Sequence, residues 1–115
     1  MIKNSHSISN IVLHLVLVTK YRKNFTFERS VLASAVASAT CKLEKIGIAN
    51  NHVHLLIEVP ASRSVSKVIE IIKSVSSKKF ISLFPSSWIG WQNGYYIASV
   101  GRTSKSKVEK YLDNQ

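Results

Sequence analysis

The chain has 115 residues, 45% of them apolar, and its sixteen Lys and Arg against six Asp and Glu give a formal net charge of +10. That length holds one domain with a real hydrophobic core, and that apolar content excludes a disordered chain. The charge favours a polyanionic partner, either nucleic acid or an anionic membrane surface. The longest apolar stretch, Ile11–Val18, is eight residues long and contains His14, too short to cross a bilayer. The N-terminus lacks the pattern of a signal peptide, and a lone cysteine, Cys41, forms no intramolecular disulfide. A cytoplasmic, membrane-independent protein that meets nucleic acid is the simplest reading, with residues 1–115 as a single domain.

No repeat, low-complexity tract or linker interrupts the chain. His6 lies in the N-terminal tail. Ile11–Thr19, rich in Val, Ile and Leu, predicts a buried strand, with His14 read as a core histidine. Lys20 to Asn24 form a basic loop. Phe27–Thr40 is Ala-rich and carries Val31, Leu32, Ala35, Val36 and Ala39 on one stripe, a helix. Leu43–Ala49 predicts a strand weakened by Gly47. Asn50-Asn51 is a turn signal before a strand over His52–Val59, which Pro60 ends. Ser64 caps a helix whose stripe is Val65, Val68, Ile69, Ile72 and Val75, with Pro85 beyond its end. Trp88–Trp91 reads as a short strand or a loop. Tyr95–Val100 predicts a strand ending at Gly101. Ser106 and Glu109 are spaced as a capping box for a last helix with Val108, Tyr111, Leu112 and Gln115 on one face. This βαββαβ order, plus the terminal helix, predicts an α+β fold. Its expected form is a ferredoxin-like, RRM-like antiparallel sheet with helices on one face and a C-terminal helix carrying a tyrosine.

The chemistry concentrates in two places. Residues two apart on a strand share a face, so His52 and His54 project together while Val53 points away. Two imidazoles on a rigid strand make half of a divalent-metal site. Residues four apart on a helix also share a face, which pairs Tyr111 with Gln115. A metal pair and a tyrosine in a basic protein fit tyrosine attack on a phosphodiester. A metal would polarise the phosphate, and the phenol, with an ordinary pKa of about 10, needs activation. Unlike water, tyrosine keeps the phosphate attached, so a free 3′-hydroxyl can reverse the step and the chemistry suits strand transfer.

Each piece has a plainer alternative. The histidines could be half-buried and satisfied by backbone. Tyr111 lies on the stripe of Val108 and Leu112, which packing explains, and Gln115 could be a solvated terminal residue. Cys41 reads as a small hydrophobe. Lys20, Arg22, Lys23, Arg63, Lys67, Lys78, Lys79, Arg102, Lys105, Lys107 and Lys110 could form a phosphate-binding surface or could each be simply solvated. Trp88, Trp91, Tyr95 and Tyr96 could stack on bases, although core packing suits most of them better.

Five segments together resemble the single-tyrosine HUH transposases of small bacterial and archaeal insertion sequences. The resemblance covers nearly the whole chain. His14-Leu15-Val16-Leu17-Val18-Thr19-Lys20-Tyr21-Arg22 is similar to the family's opening strand and its T-K-Y-R. Asn51-His52-Val53-His54-Leu55-Leu56 is similar to the HUH strand. Lys73-Ser74-Val75-Ser76-Ser77 resembles K-G-x-S-S, with Ser74 in place of Gly. Gly94-Tyr95-Tyr96-Ile97-Ala98-Ser99-Val100-Gly101 resembles G-Y-[YF]-x-x-[ST]-V-G, and Val108 to Gln115 resembles the Y-x-x-x-Q helix.

The resemblance implies a DNA transposase, active in transposition and recombination. Tyr111 would be the nucleophile, forming a 5′-phosphotyrosine link and freeing a 3′-hydroxyl. His52, His54 and Gln115 would hold one Mg²⁺ or Mn²⁺. The partner would be single-stranded DNA with subterminal hairpins at the ends of an insertion sequence. The protein would be a homodimer in which the tyrosine helix of one subunit can complete the metal site of the other. Three departures stand out: Asn50 replaces the family's usual Pro, the Phe25–Ala49 segment is short, and the sequence stops on the glutamine. The alternatives are a domesticated relative that processes hairpins by the same chemistry and a non-catalytic nucleic-acid-binding module. A binder of that last kind would survive chelation and Tyr111→Phe.

Overall fold

The computed structural model describes residues 10–101. The elements in chain order are β1 (Ile11–Val18), α1 (Arg29–Ser38), β2 (Lys42–Ile48), β3 (His52–Val59), α2 (Val65–Leu83) and β4 (Tyr96–Gly101), with a short 3₁₀ turn over Lys20–Arg22. The strands form one sheet in the order β2-β3-β1-β4, antiparallel at every pairing. This is the expected ferredoxin-like α+β arrangement, with β3 and β1 at its centre. The expected helix around Tyr111 lies outside the described residues.

Alternation along the strands decides which side chains meet the helices. Leu13, Leu15 and Leu17 of β1 share a face with Val53, Leu55, Ile57 and Val59 of β3. That face packs against Val31, Leu32, Ala35 and Val36 of α1 and Val68, Ile69, Ile72 and Phe80 of α2, all buried. Each of the Val, Leu, Ile and Phe side chains contributes about 1.5–3 kcal/mol on leaving water, so this layer supplies the main stabilisation. The two helices lie side by side on it.

Ser64 caps α2 as its position predicts, accepting the Lys67 amide at 3.3 Å. Helix α1 is shorter at both ends than its stripe of alanines predicts. At its start Phe27 leaves the helix to stack on Trp91, with ring centroids 5.6 Å apart and planes 6° from parallel. At its end Thr40 takes a left-handed backbone at φ 61°, which stops the helix. Gly47 does not break β2; the irregularity falls between Leu43 and Lys45, where the register slips.

Trp88–Trp91 belongs to a loop, tied to the sheet by one bridge between Thr19 and Trp91. Both indoles are buried in an aromatic cluster with Phe25, Phe27 and Phe80. They therefore belong to the core, whereas Tyr95 and Tyr96 stay exposed. Cys41 is half-buried against the core, and burial pushes its thiol pKa up, which suits a small hydrophobe rather than a nucleophile. Among the described residues, no helix is long and apolar enough to cross a membrane.

Candidate active site

The face of the sheet opposite the helices carries the histidines. His52 and His54 stand next to each other on β3, ring centroids 5.0 Å apart and planes at 68°. Gly47 of β2 and Val16 of β1 flank His54 on either side. A Cβ added at Gly47 would meet the His54 Cβ at 3.6 Å, so the glycine keeps the flank of the imidazole clear of any longer side chain.

His14 joins them. It is only 7% exposed, but it is not part of the helix-covered core that its apolar surroundings in sequence imply. Its even position on β1 turns it to the histidine face, opposite Leu56 and diagonal to His54. Its ring meets that of His54 edge to edge, with centroids 5.0 Å apart and planes 22° from parallel, and Nε2 lies 2.8 Å from His54 Nδ1. His52 Nδ1 is likewise engaged, 2.8 Å from the side-chain oxygen of Asn51. Burial lowers the pKa of His14. Burial lowers that of His54 too, and the charges of His14 and His52 lower it further. His14 and His54 are therefore neutral at pH 7, the state in which imidazole binds metal.

A basic turn sits at the same end of the sheet, because Val18 of β1 pairs with His52. Tyr21 and Arg22 both adopt left-handed backbone, at φ 56° and 54°. Such a conformation costs roughly 1–2 kcal/mol per non-glycine residue, so something must hold it. Buried Thr19 does: its hydroxyl donates its one proton to Lys23 O at 2.6 Å, with Asn51 O also within reach at 3.1 Å, and its amide donates to Asn51 O at 3.0 Å. The Phe25 amide adds a bond to Asn50 O at 2.8 Å. The result leaves Tyr21 87% exposed between Lys20, Arg22 and Lys23.

A second motif holds the loop before β4. Lys73 Nζ donates to the carbonyls of Gln92 and Gly94, both at 3.0 Å. Ser76 Oγ, fully buried, accepts the indole N–H of Trp91 at 2.9 Å, and Ser77 Oγ accepts that of Trp88 at 2.9 Å. Gly94 sits at φ 82°, a conformation that glycine takes without strain. Lys73-Ser74-Val75-Ser76-Ser77 is thus a clasp on the loop that leads into Tyr95 and Tyr96.

The other cations separate. Arg63 lies past the far end of β3, roughly 23 Å along the strand from His52 at 3.3 Å per residue, and bonds Thr40 Oγ1. Lys78 and Lys79 are exposed on α2, with the sheet between them and the histidines. Tyr111, Gln115, Arg102 and Lys105 lie outside the described residues, as do His6, Lys107 and Lys110. Among the described residues, no group of three or more His, Cys, Asp and Glu is placed to hold a metal. The donor set present is therefore two imidazoles, which fits part of a metal site and leaves further ligands to come from elsewhere.

Comparison with known proteins decides the family. The model of the IS200-like transposases matches residues 7–115. The chain belongs to this family. It is 26% identical over 123 residues to the transposases for insertion sequence element IS200 of Salmonella typhimurium and Salmonella typhi, covering 96% of this chain and 80% of each relative. Among solved structures, a crystal structure from Deinococcus radiodurans R1 described as a transposase superposes with a TM-score of 0.75 at 21% identity, covering 100% of this chain and 98% of that one. The REP-associated tyrosine transposase bound to a REP hairpin superposes at 0.58 and 14% identity, over 89% of this chain and 62% of the other. These two likenesses show a shared fold. Membership of the IS200-like transposases makes the chain a DNA-processing enzyme.

Proposed function

We propose that this IS200-like transposase cuts and rejoins single-stranded DNA at insertion-sequence ends through a covalent tyrosine intermediate. The observation that carries this reading is the pair His52 and His54, with both Nδ1 atoms engaged and both rings on one face beside a basic turn. In the reaction the phenolate oxygen of Tyr111 attacks the scissile phosphorus. The bond from phosphorus to the 3′ oxygen breaks, the leaving oxygen takes up a proton, and the 5′ phosphate stays on Tyr111. Reversal by another 3′-hydroxyl restores the phenol and completes strand transfer. His52, His54 and Gln115 would hold one Mg²⁺ or Mn²⁺, which when bound supplies Lewis-acid polarisation of the phosphate.

The chain's own groups do the rest. His14 and His54, neutral at pH 7, add no positive charge next to the ion they would serve. Lys20, Arg22 and Lys23 lead the DNA backbone to the histidine end, while Arg63, Lys78 and Lys79, placed away from it, add only to the net positive charge, as Arg102 and Lys105 do. Hairpin-bearing DNA is the substrate class, consistent with the hairpin held by the REP-associated relative of the same fold. A homodimer, in which the tyrosine helix of one subunit can serve the histidines of the other, is the assembly this reading expects.

The test uses single-stranded oligonucleotides from the DNA flanking the gene, incubated with protein and Mn²⁺ and run on a denaturing gel. A metal-dependent protein–DNA adduct that Tyr111→Phe abolishes is the expected result. Hairpin binding with no adduct, even on a pre-nicked substrate, would identify a binding module instead.

A further inference from the structure

Each imidazole of the β3 pair is gripped through the same atom. His52 Nδ1 lies 2.8 Å from Asn51 Oδ1, and His54 Nδ1 lies 2.8 Å from His14 Nε2. The partner on Nδ1 decides which nitrogen of a neutral imidazole carries the proton. An amide oxygen only accepts, so His52 must donate from Nδ1, and its Nε2 is left as a lone pair. Asn51 is oriented for this by its own amide nitrogen, which faces Arg22 O at 3.5 Å. His54 has the same geometry, but its partner is another imidazole, able to donate or to accept.

We propose that His14 is a positioning residue, accepting the Nδ1–H of His54 at its Nε2 and so presenting the His54 Nε2 lone pair to a divalent cation, as Asn51 does for His52. The proposal rests on the metal reading of His52 and His54 given above. Three features support it. The edge-to-edge arrangement, 5.0 Å between centroids with planes 22° from parallel, aligns the plane of the His54 ring as well as setting its tautomer. His14 is held on β1, a central strand, so the support is as rigid as the ligand strand itself. His14 is also buried, which shields the bond between the rings from competing water. With Nε2 used as an acceptor, neutral His14 keeps its own proton on Nδ1. All three imidazoles of the face then carry Nδ1–H, the tautomer that free histidine disfavours.

Two measurements test this. Long-range ¹H–¹⁵N correlation spectra of the metal-free, full-length protein report each tautomer. Titration with Mn²⁺ alone, followed by EPR, reports affinity. We expect Nδ1–H at His54 and His52 in the wild type. In His14→Phe, which keeps an aromatic ring on β1 but not the acceptor, His54 shifts toward Nε2–H and Mn²⁺ affinity falls about 10–100-fold, the usual loss when a ligand's orienting partner is removed. In His14→Gln, whose side-chain oxygen restores an acceptor, the His54 tautomer and most of the affinity return. Nε2–H at His54 in the wild type would overturn the proposal even if every variant failed to fold. So would Mn²⁺ affinity in His14→Phe equal to that of the wild type. Wild-type protein that binds Mn²⁺ no better than His52→Ala would instead remove the metal reading, and the His54 tautomer would still decide whether His14 sets that ring.

Discussion

His54 is surrounded by imidazole on two sides, and its environment opposes protonation. In the unfolded chain His14 and His54 titrate near 6.5, while in the fold burial lowers both, and His14 and His52 lower His54 further. Between the folded and unfolded values the unfolded chain binds more protons. Stability is therefore full above about pH 6.5 and declines as pH falls through the folded-state values. Thermal melts of metal-free protein from pH 8 to pH 5 should give a Tm that drops in the acid half of that range. His54→Phe should flatten the drop, and a Tm unchanged across the range would contradict this account. Ser76 makes a second residue-scale prediction. Ser76→Ala strands the buried indole N–H of Trp91, an orphan worth about 1–3 kcal/mol by urea unfolding. Ser77→Ala, beside the less enclosed Trp88 bond, should cost about 1 kcal/mol or less. The faces of His52 and His54 were legible in the sequence because strand alternation is local. The role of His14 was not, because its partner is 40 residues away.

At the scale of elements, α2 links the core to the site. Phe80 meets Phe25, Phe27, Trp88 and Trp91, and one to two turns of helix back Lys73, Ser76 and Ser77 grip the loop from Trp88 to Gly94. Phe80→Ala should destabilise by about 3–5 kcal/mol, the range for removing a buried ring. Lys73→Met should act more locally, faster hydrogen exchange appearing at residues 92–95 while β1 and β3 stay protected. Exchange that rises evenly over the whole sheet would show that the clasp is part of the global core. The apolar stripes of α1 and α2 could be read from periodicity, and so could the cap at Ser64. The ends of α1 could not. Phe27 leaves the helix to stack on Trp91, and no local propensity encodes a partner that distant.

Across the whole molecule, charge divides by position. Lys20, Arg22 and Lys23 share the histidine end, Arg63 lies beyond the other end of β3, and Lys78 and Lys79 are on the helix side. Replacing Lys20, Arg22 and Lys23 together by Ala should weaken binding of single-stranded DNA. It should also make the salt dependence shallower, by roughly 0.7 log unit for each phosphate that is no longer neutralised. Arg63→Ala should leave both near wild type. Equal effects in the two variants would mean that the DNA path runs differently over the protein.

By itself the sequence determined the order of elements, the antiparallel α+β class and the His52–His54 pair, because each follows from a period of two or 3.6 residues and from nearby caps and turns. It also carried the family resemblance, which the family match over residues 7–115 establishes. Only the tertiary structure decided that His14 stands against His54, that Trp88 and Trp91 are core, and that Lys73 clasps a loop. It also separated Arg63 from the other cations. Those outcomes depend on which strands become neighbours and in what register. Strand β1 meets residues 34 to 48 positions away on β3 and 80 to 89 positions away on β4, a relation set by packing the whole sheet against its helices rather than by any local stretch of chain.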